Sequence, residues 1–113
     1  MIVKKADMAV QPRPAWRGGE GAPVCYHLEK DVPAAWRFSS LVEFKPGESI
    51  GEHAHTGETE LYYIIEGTAT VWDNGTPVEV TAGDAIWTGN GASHSIKNTG
   101  STVMRMLAIV ITE

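Results

Sequence analysis

His53 and His55 stand two positions apart, Glu60 follows, and His94 lies 39 residues beyond His55. In an extended chain alternate side chains share one face, about 6–7 Å apart at the backbone. Both imidazoles can then approach one ion. A turn at Gly57 can bring the Glu60 carboxylate back to the same face, and His94 can reach it from another strand. Imidazole nitrogens with a carboxylate oxygen suit Mn²⁺, Fe²⁺, Co²⁺, Ni²⁺ or Zn²⁺. Such a set leaves roughly one or two positions open on a five- or six-coordinate ion, where substrate or oxygen can bind. Plainer readings exist for each residue. A His-x-His pair is also an ordinary surface feature, and Glu58 and Glu60 beside glycine and threonine also read as solvated carboxylates. His27 lies outside the group and reads as a strand residue. Cys25 reads as a small buried hydrophobe.

The elements that must position these residues are short strands. Val24 to Leu28, Trp36 to Phe44, Ser49 to His55, Glu60 to Ile65, Thr68 to Trp72, Val78 to Val80, Ala85 to Thr88, Ser93 to Asn98 and Val103 to Ile111 are β-branched or aromatic runs. Glycines punctuate them. Pro46-Gly47 suits a type II turn, and Asp73-Asn74-Gly75-Thr76 is a strong hairpin signal, because Asn-Gly accepts positive φ angles. No stretch keeps a 3.6-residue period. The pattern predicts a small antiparallel all-β barrel or sandwich. Residues 1–23, broken by Pro12, Pro14, Pro23 and a glycine-rich run, predict an arm rather than a helix.

Composition narrows the function. The 113 residues make one small domain, too short for a Rossmann dehydrogenase or a TIM barrel. Nine basic residues against 14 acidic give a net charge of −5, and the basic ones are scattered. Nucleic acid is therefore not an expected partner. Without an apolar run long enough to span a membrane or to direct export, the chain is expected to be cytoplasmic and free of membrane contact. The lone cysteine excludes an internal disulfide and agrees with that location.

The spacing of the chemical residues resembles the cupin superfamily. Its first motif, G(X)5HXH(X)3,4E(X)6G, is matched by Gly47, His53, His55, Glu60 and Gly67 at every interval. Its second, G(X)5PXG(X)2H(X)3N, is matched by Gly83, Gly91, His94 and Asn98, with Gly89 at the proline position. The motifs cover residues 47–98, separated by residues 68–82. The resemblance implies a single-domain monocupin: an all-β, small double-stranded β-helix, or jelly-roll, barrel over residues 24–113 behind the arm. It implies one divalent transition metal ion (Mn, Fe, Ni or Zn) on His53, His55, Glu60 and His94, and a homodimer.

Cupins share a scaffold while differing in reaction, so the fold does not fix the function. The expected activity is a metal-dependent enzyme acting on a small oxygen-rich or carboxylated substrate, of dioxygenase, decarboxylase or isomerase type. The alternative is a non-catalytic small-molecule or metal-binding module. Strand parity puts Tyr62 on the same face as Glu60, as a hydrogen-bond donor, and sets Arg105 among apolar neighbours. These two are the candidate catalytic residues. For Arg105 three readings stand open: an acidic partner at a dimer seam, a substrate carboxylate, or an ordinary edge-exposed arginine. Oxalate decarboxylases have a similar metal site and carry an arginine three residues before the first ligand histidine. Here that position is Ile50, so oxalate chemistry would need Arg105, Arg37 or Arg17 instead.

Overall fold

A computed structural model describes residues Met1–Glu113. Ten strands make two antiparallel sheets: β1 Val10–Pro12, β2 Val24–His27, β3 Trp36–Phe44, β4 Ser49–Ala54, β5 Glu58–Glu66, β6 Thr68–Asp73, β7 Thr76–Thr81, β8 Ala85–Thr88, β9 Ser93–Lys97 and β10 Met104–Thr112. One sheet has six strands in the order β1-β2-β3-β10-β5-β8, and the other has four, β4-β9-β6-β7. The nine sequence-predicted strands are all present. β1 escapes the pattern because it is three residues long and ends on Pro12.

The expected closed jelly-roll barrel is not formed. Both sheets are open, with β1 and β8 as the edges of one and β4 and β7 as the edges of the other. Closure needs edge strands long enough to pair across the gap. Here β1 and β8 are three and four residues long, and β7 carries Pro77, which donates no ladder hydrogen bond. The exposed edge of β4 is occupied by the arm. Ser49 N–H donates to the Glu20 carbonyl at 2.9 Å, and Glu20 N–H donates to Ser49 Oγ at 2.8 Å.

The sheets face each other across one core. Val42 and Phe44 of β3, Ile64 of β5, Met104 and Met106 of β10 meet Ile50 of β4, Val71 of β6 and Ile96 of β9, all buried. Alternation on β10 is clean: Met104, Met106, Ala108 and Val110 point inward. The predicted parity of Glu60 and Tyr62 holds on β5 and extends to Ile64, but Glu66, next in the same alternation, is exposed. The ladder shifts register between Arg105 and Met106, and that one-residue slip turns Glu66 outward. Asn74 and Gly75 take φ of 49° and 89° in the β6–β7 hairpin, which fits the positive angles the Asn-Gly pair predicts.

Candidate metal centre

The site lies between the sheets. His53 on β4 sits directly opposite His94 on β9. His55 follows β4, and Glu60 and Tyr62 come from β5 of the other sheet. A bulge sets the aim of β4. Ile50 pairs with Ile96 and His53 with His94, so β4 holds one more residue than β9 over that stretch, at Gly51 and Glu52. Without it, His53 would point away from the face that buries Ile50.

The four side chains converge. Their ligand atoms all lie within 4.8 Å of one another. His94 Nε2 is 3.0 Å from Nε2 of both His53 and His55, and Glu60 Oε1 is 2.9 Å from His55 Nε2 and 3.0 Å from His94 Nε2. Yet Glu60 Oε1 is buried without a well-directed hydrogen bond. The atoms point at a common centre rather than at one another. Behind His53 and His55 the opposite ring nitrogen faces an oxygen that can only accept, which fixes the tautomer such a centre needs, and behind His94 the Thr88 hydroxyl is able to accept in the same way. Nδ1 of His53 donates to the Gly51 carbonyl at 2.8 Å, Nδ1 of His55 to Glu58 Oε1 at 2.9 Å, and Nδ1 of His94 to Thr88 Oγ1 at 3.0 Å. Each Nε2 is thereby left as a lone pair. Three lone pairs and one carboxylate oxygen, crowded and buried, fit a divalent cation.

The protonation pattern agrees. Burial pushes the Glu60 carboxyl up, but the three imidazoles around it outweigh this and hold it well below the usual carboxylate range. The Glu60 carboxylate raises His55 above the ordinary imidazole value against the opposing effect of burial. Burial lowers His94, only partly offset by Glu60. One negative charge thus sits among imidazoles that cannot all be protonated together.

The centre forms the floor of a cavity of about 250 Å³. Cavities for drug-sized ligands are roughly 300–1,000 Å³, so this one suits a molecule of few heavy atoms. Arg13, Trp16 and Arg17 from the arm, Arg37 and Phe38 from β3, and Val110 from β10 complete its walls. Glu58 bridges the floor and the wall, accepting from His55 and pairing with Arg37.

Tyr62 stands at the floor. Its ring stacks on His94 at 4.6 Å and 11°. Burial first, and then the charge of Glu60, push its hydroxyl well above the ordinary tyrosine value, while Arg17 pulls slightly the other way. Arg105 stands elsewhere. It lies on the outer face of β10, with Nε 2.8 Å from Glu43 Oε2 and a second contact to Glu66, and it does not line the cavity. Trp36, Trp72 and Trp87 also lie outside the cavity; the tryptophan that lines it is Trp16. Sequence reasoning missed Glu58, Thr88 and Arg13. Glu58 carried a signal, being three residues from His55 on the next strand. Thr88 and Arg13 reach the site only through tertiary packing. His27 stays outside the cluster, 2.9 Å from Gln11.

Two open antiparallel sheets around a buried His/His/Glu/His group define a metal-binding cupin-type protein. A model described as "Cupin domain" matches residues 40–110, and the chain belongs to that family. The chain is 37% identical to the oxalate-binding protein of Thermotoga maritima over 113 residues, covering 98% of this chain and 93% of that protein. It is also similar to the crystal structure of a predicted oxalate decarboxylase from Thermotoga maritima. That match has a TM-score of 0.94 at 36% identity and covers 100% of both chains. The tetracenomycin polyketide synthase protein TcmJ of Streptomyces glaucescens is 34% identical over 76 residues, 67% of this chain and 51% of that protein.

Proposed function

We propose that this protein is a metal-dependent cupin enzyme that takes a small dicarboxylate of the oxalate class and cleaves it by decarboxylation. Metal-dependent chemistry on a small carboxylated molecule is its functional class. The observation that carries the reading is the convergence of three Nε2 atoms and Glu60 Oε1 on the floor of a small cavity walled by arginines. The relatives' names, oxalate binding and oxalate decarboxylation, point to the same substrate.

His53, His55, Glu60 and His94 would hold the metal, and this donor set suits Mn²⁺, Fe²⁺, Ni²⁺ and Zn²⁺ alike. A bound divalent cation supplies Lewis-acid polarisation of carboxylate oxygens. The chain's own groups do the rest. The Gly51 carbonyl, Glu58 and Thr88 keep the imidazoles oriented. Glu60 adds one negative charge, so a divalent site keeps net positive charge for an anion. Tyr62 remains protonated at neutral pH and offers a hydrogen bond from the floor. Decarboxylation of oxalate breaks its C–C bond, releases CO₂, and leaves the electron pair on the carbon that takes up a proton to become formate.

The test is metal analysis of protein purified without added metal, followed by incubation of the Mn²⁺-loaded protein with oxalate. Stoichiometric metal and equimolar formate and CO₂ are expected. A protein that binds no metal overturns the reading. Tight oxalate binding without product favours the alternative of a non-catalytic binding module, for which the oxalate-binding relative speaks.

Residues 1–23 act as an arm on a body of residues 24–113. The molecule works as a homodimer, because Tyr63, Ile65 and Trp87 are 42%, 49% and 64% exposed on adjoining strands β5 and β8. An apolar strip of this kind is suited to a second copy. Sedimentation of Trp87→Glu as a monomer beside a dimeric wild type would support it; two equal dimers would end it. No helix is long and apolar enough to cross a membrane. A cytoplasmic site of action is proposed on the unpaired, buried Cys25.

A further inference from the structure

Arg13, Arg17 and Arg37 all line the cavity, in a chain whose net charge is −5. Their partners differ. Arg37 pairs with Glu58, and the Arg13 guanidinium lies over the Trp16 ring at 4.4 Å. Arg105, outside the cavity, pairs with Glu43 and Glu66. Arg13 and Arg17 both lack a carboxylate partner, but Arg13 is held over the Trp16 ring, and Arg17 is the wall arginine with neither a carboxylate nor a ring partner, free to turn to a ligand.

The arm holds Arg17 there by force of its surroundings. Ala15 and Arg17 have φ of 48° and 53°, a left-handed conformation that a residue with a β-carbon enters only when the structure imposes it. Arg13 N–H donates to the Pro23 carbonyl at 2.8 Å and Ala15 N–H to the Gly21 carbonyl at 2.9 Å, which closes the loop. Its backbone then lies directly on β4. A methyl group on Gly51 would sit 2.0 Å from the Arg17 carbonyl oxygen, and one on Gly19 would sit 2.3 Å from the Ser49 carbonyl oxygen. Only glycine at both positions permits that approach. The contact falls at the bulge that aims His53, so one short stretch of β4 places both a metal-site histidine and the arm.

We infer that the arm is the anion-selecting wall of the cavity: Arg17 grips the carboxylate of the ligand that the His/Glu cluster does not hold, and the Gly19–Gly51 contact sets its reach. This rests on the dicarboxylate reading above.

The test is calorimetry on the full-length Mn²⁺-loaded protein with oxalate, malonate and acetate. Arg17→Gln is expected to raise the oxalate Kd at least about tenfold, while acetate affinity and Mn content stay at wild-type values. Arg17→Lys should recover part of the loss. Gly19→Ala, with Arg17 intact, should weaken oxalate in the same direction when compared per bound Mn. Oxalate binding by Arg17→Gln within twofold of wild type, or equal losses for acetate and oxalate, overturns the inference. A wild type that binds malonate but not oxalate ends the oxalate reading alone. The inference is then upheld by a tenfold malonate loss in Arg17→Gln and overturned by none. A wild type that binds neither ends both.

Discussion

The floor and the wall of the cavity are built by opposite means. The floor residues sit on or beside paired strands, nearly all buried, and each imidazole has a hydrogen-bond acceptor behind it. The arm side of the wall is a loop with positive-φ residues, Arg17 is exposed, and its place depends on Gly19 of the arm lying against Gly51 of β4. A cation site needs ligand atoms fixed to a fraction of an ångström, which sheet pairing provides. An anion wall needs charge at the right side and tolerates a less rigid support. Loss of a floor residue should therefore abolish the metal, whereas loss of a wall residue should change only what the metal-loaded protein binds.

The largest expected effect breaks the floor outright. His94→Ala removes a nitrogen that lies 3.0 Å from two others. Metal per chain, by elemental analysis after dialysis at neutral pH, should fall to a small fraction of the wild-type value. Wild-type stoichiometry in this variant would mean that the cluster is not the metal site. Glu58→Ala is the graded version. It leaves all four ligand side chains in place but takes away the acceptor of His55 Nδ1 and the partner of Arg37. Groups in this position typically change metal affinity about 10–100-fold. A competition titration against a chelator should show a loss of that size, smaller than for His94→Ala. An unchanged affinity would show that the His55 orientation is held by packing alone.

The same contrast explains what could be read from the chain. Most of the floor was legible because it is local: His53 ends β4, His55 follows immediately after it, Glu60 comes one turn later, and the glycines that bound the strands fix the interval to His94. Hydrophobic runs revealed nine strands, since each buries at least part of one face. Closure into a barrel was not legible. It depends on whether edge strands are long enough to pair, and Pro12, Pro77 and the arm on β4 decide that only in three dimensions. The bulge at Gly51-Glu52 was equally hidden, because an extra residue in one strand shows only against its partner. The sequence offered Arg17 only as one of three arginines that could serve a carboxylate; what sets it apart from Arg37 and Arg105 is a contact between residues far apart in sequence. Arg105 drew notice for its apolar neighbours on β10, but alternate residues face opposite ways, and its own side turns toward Glu43 and Glu66.

Asn98 separates motif from chemistry. It is 1% exposed; its amide donates to the carbonyls of Phe44 at 3.0 Å and Thr102 at 2.8 Å, and its oxygen accepts from Gly100 N–H. Asn98→Ala leaves buried carbonyls unsatisfied, at a cost of about 1–3 kcal/mol in unfolding free energy. Denaturant titration should show that loss, and metal stoichiometry should not move. A matching loss of metal would tie the turn to the floor more closely than the geometry does.

The smallest expected effect concerns Arg105, which pairs with acidic side chains outside the cavity that Arg17 lines. Arg105→Met should leave metal content and oxalate affinity at wild-type values, in contrast to Arg17→Gln. Its stability effect should be slight, because an exposed pair is screened by solvent and salt. The sign with pH follows from Glu43. The Tyr26 hydroxyl first lowers that carboxyl, burial pushes it back up, and Arg105 then helps to keep it below its ordinary value. The contribution is thus present above the ordinary glutamate pKa and is lost as pH falls through the lower, folded-state value. The difference in thermal midpoint between wild type and Arg105→Met should be present at neutral pH and shrink in acid. A variant that loses oxalate binding instead would place Arg105 in communication with the cavity and erase the distinction between the two arginines.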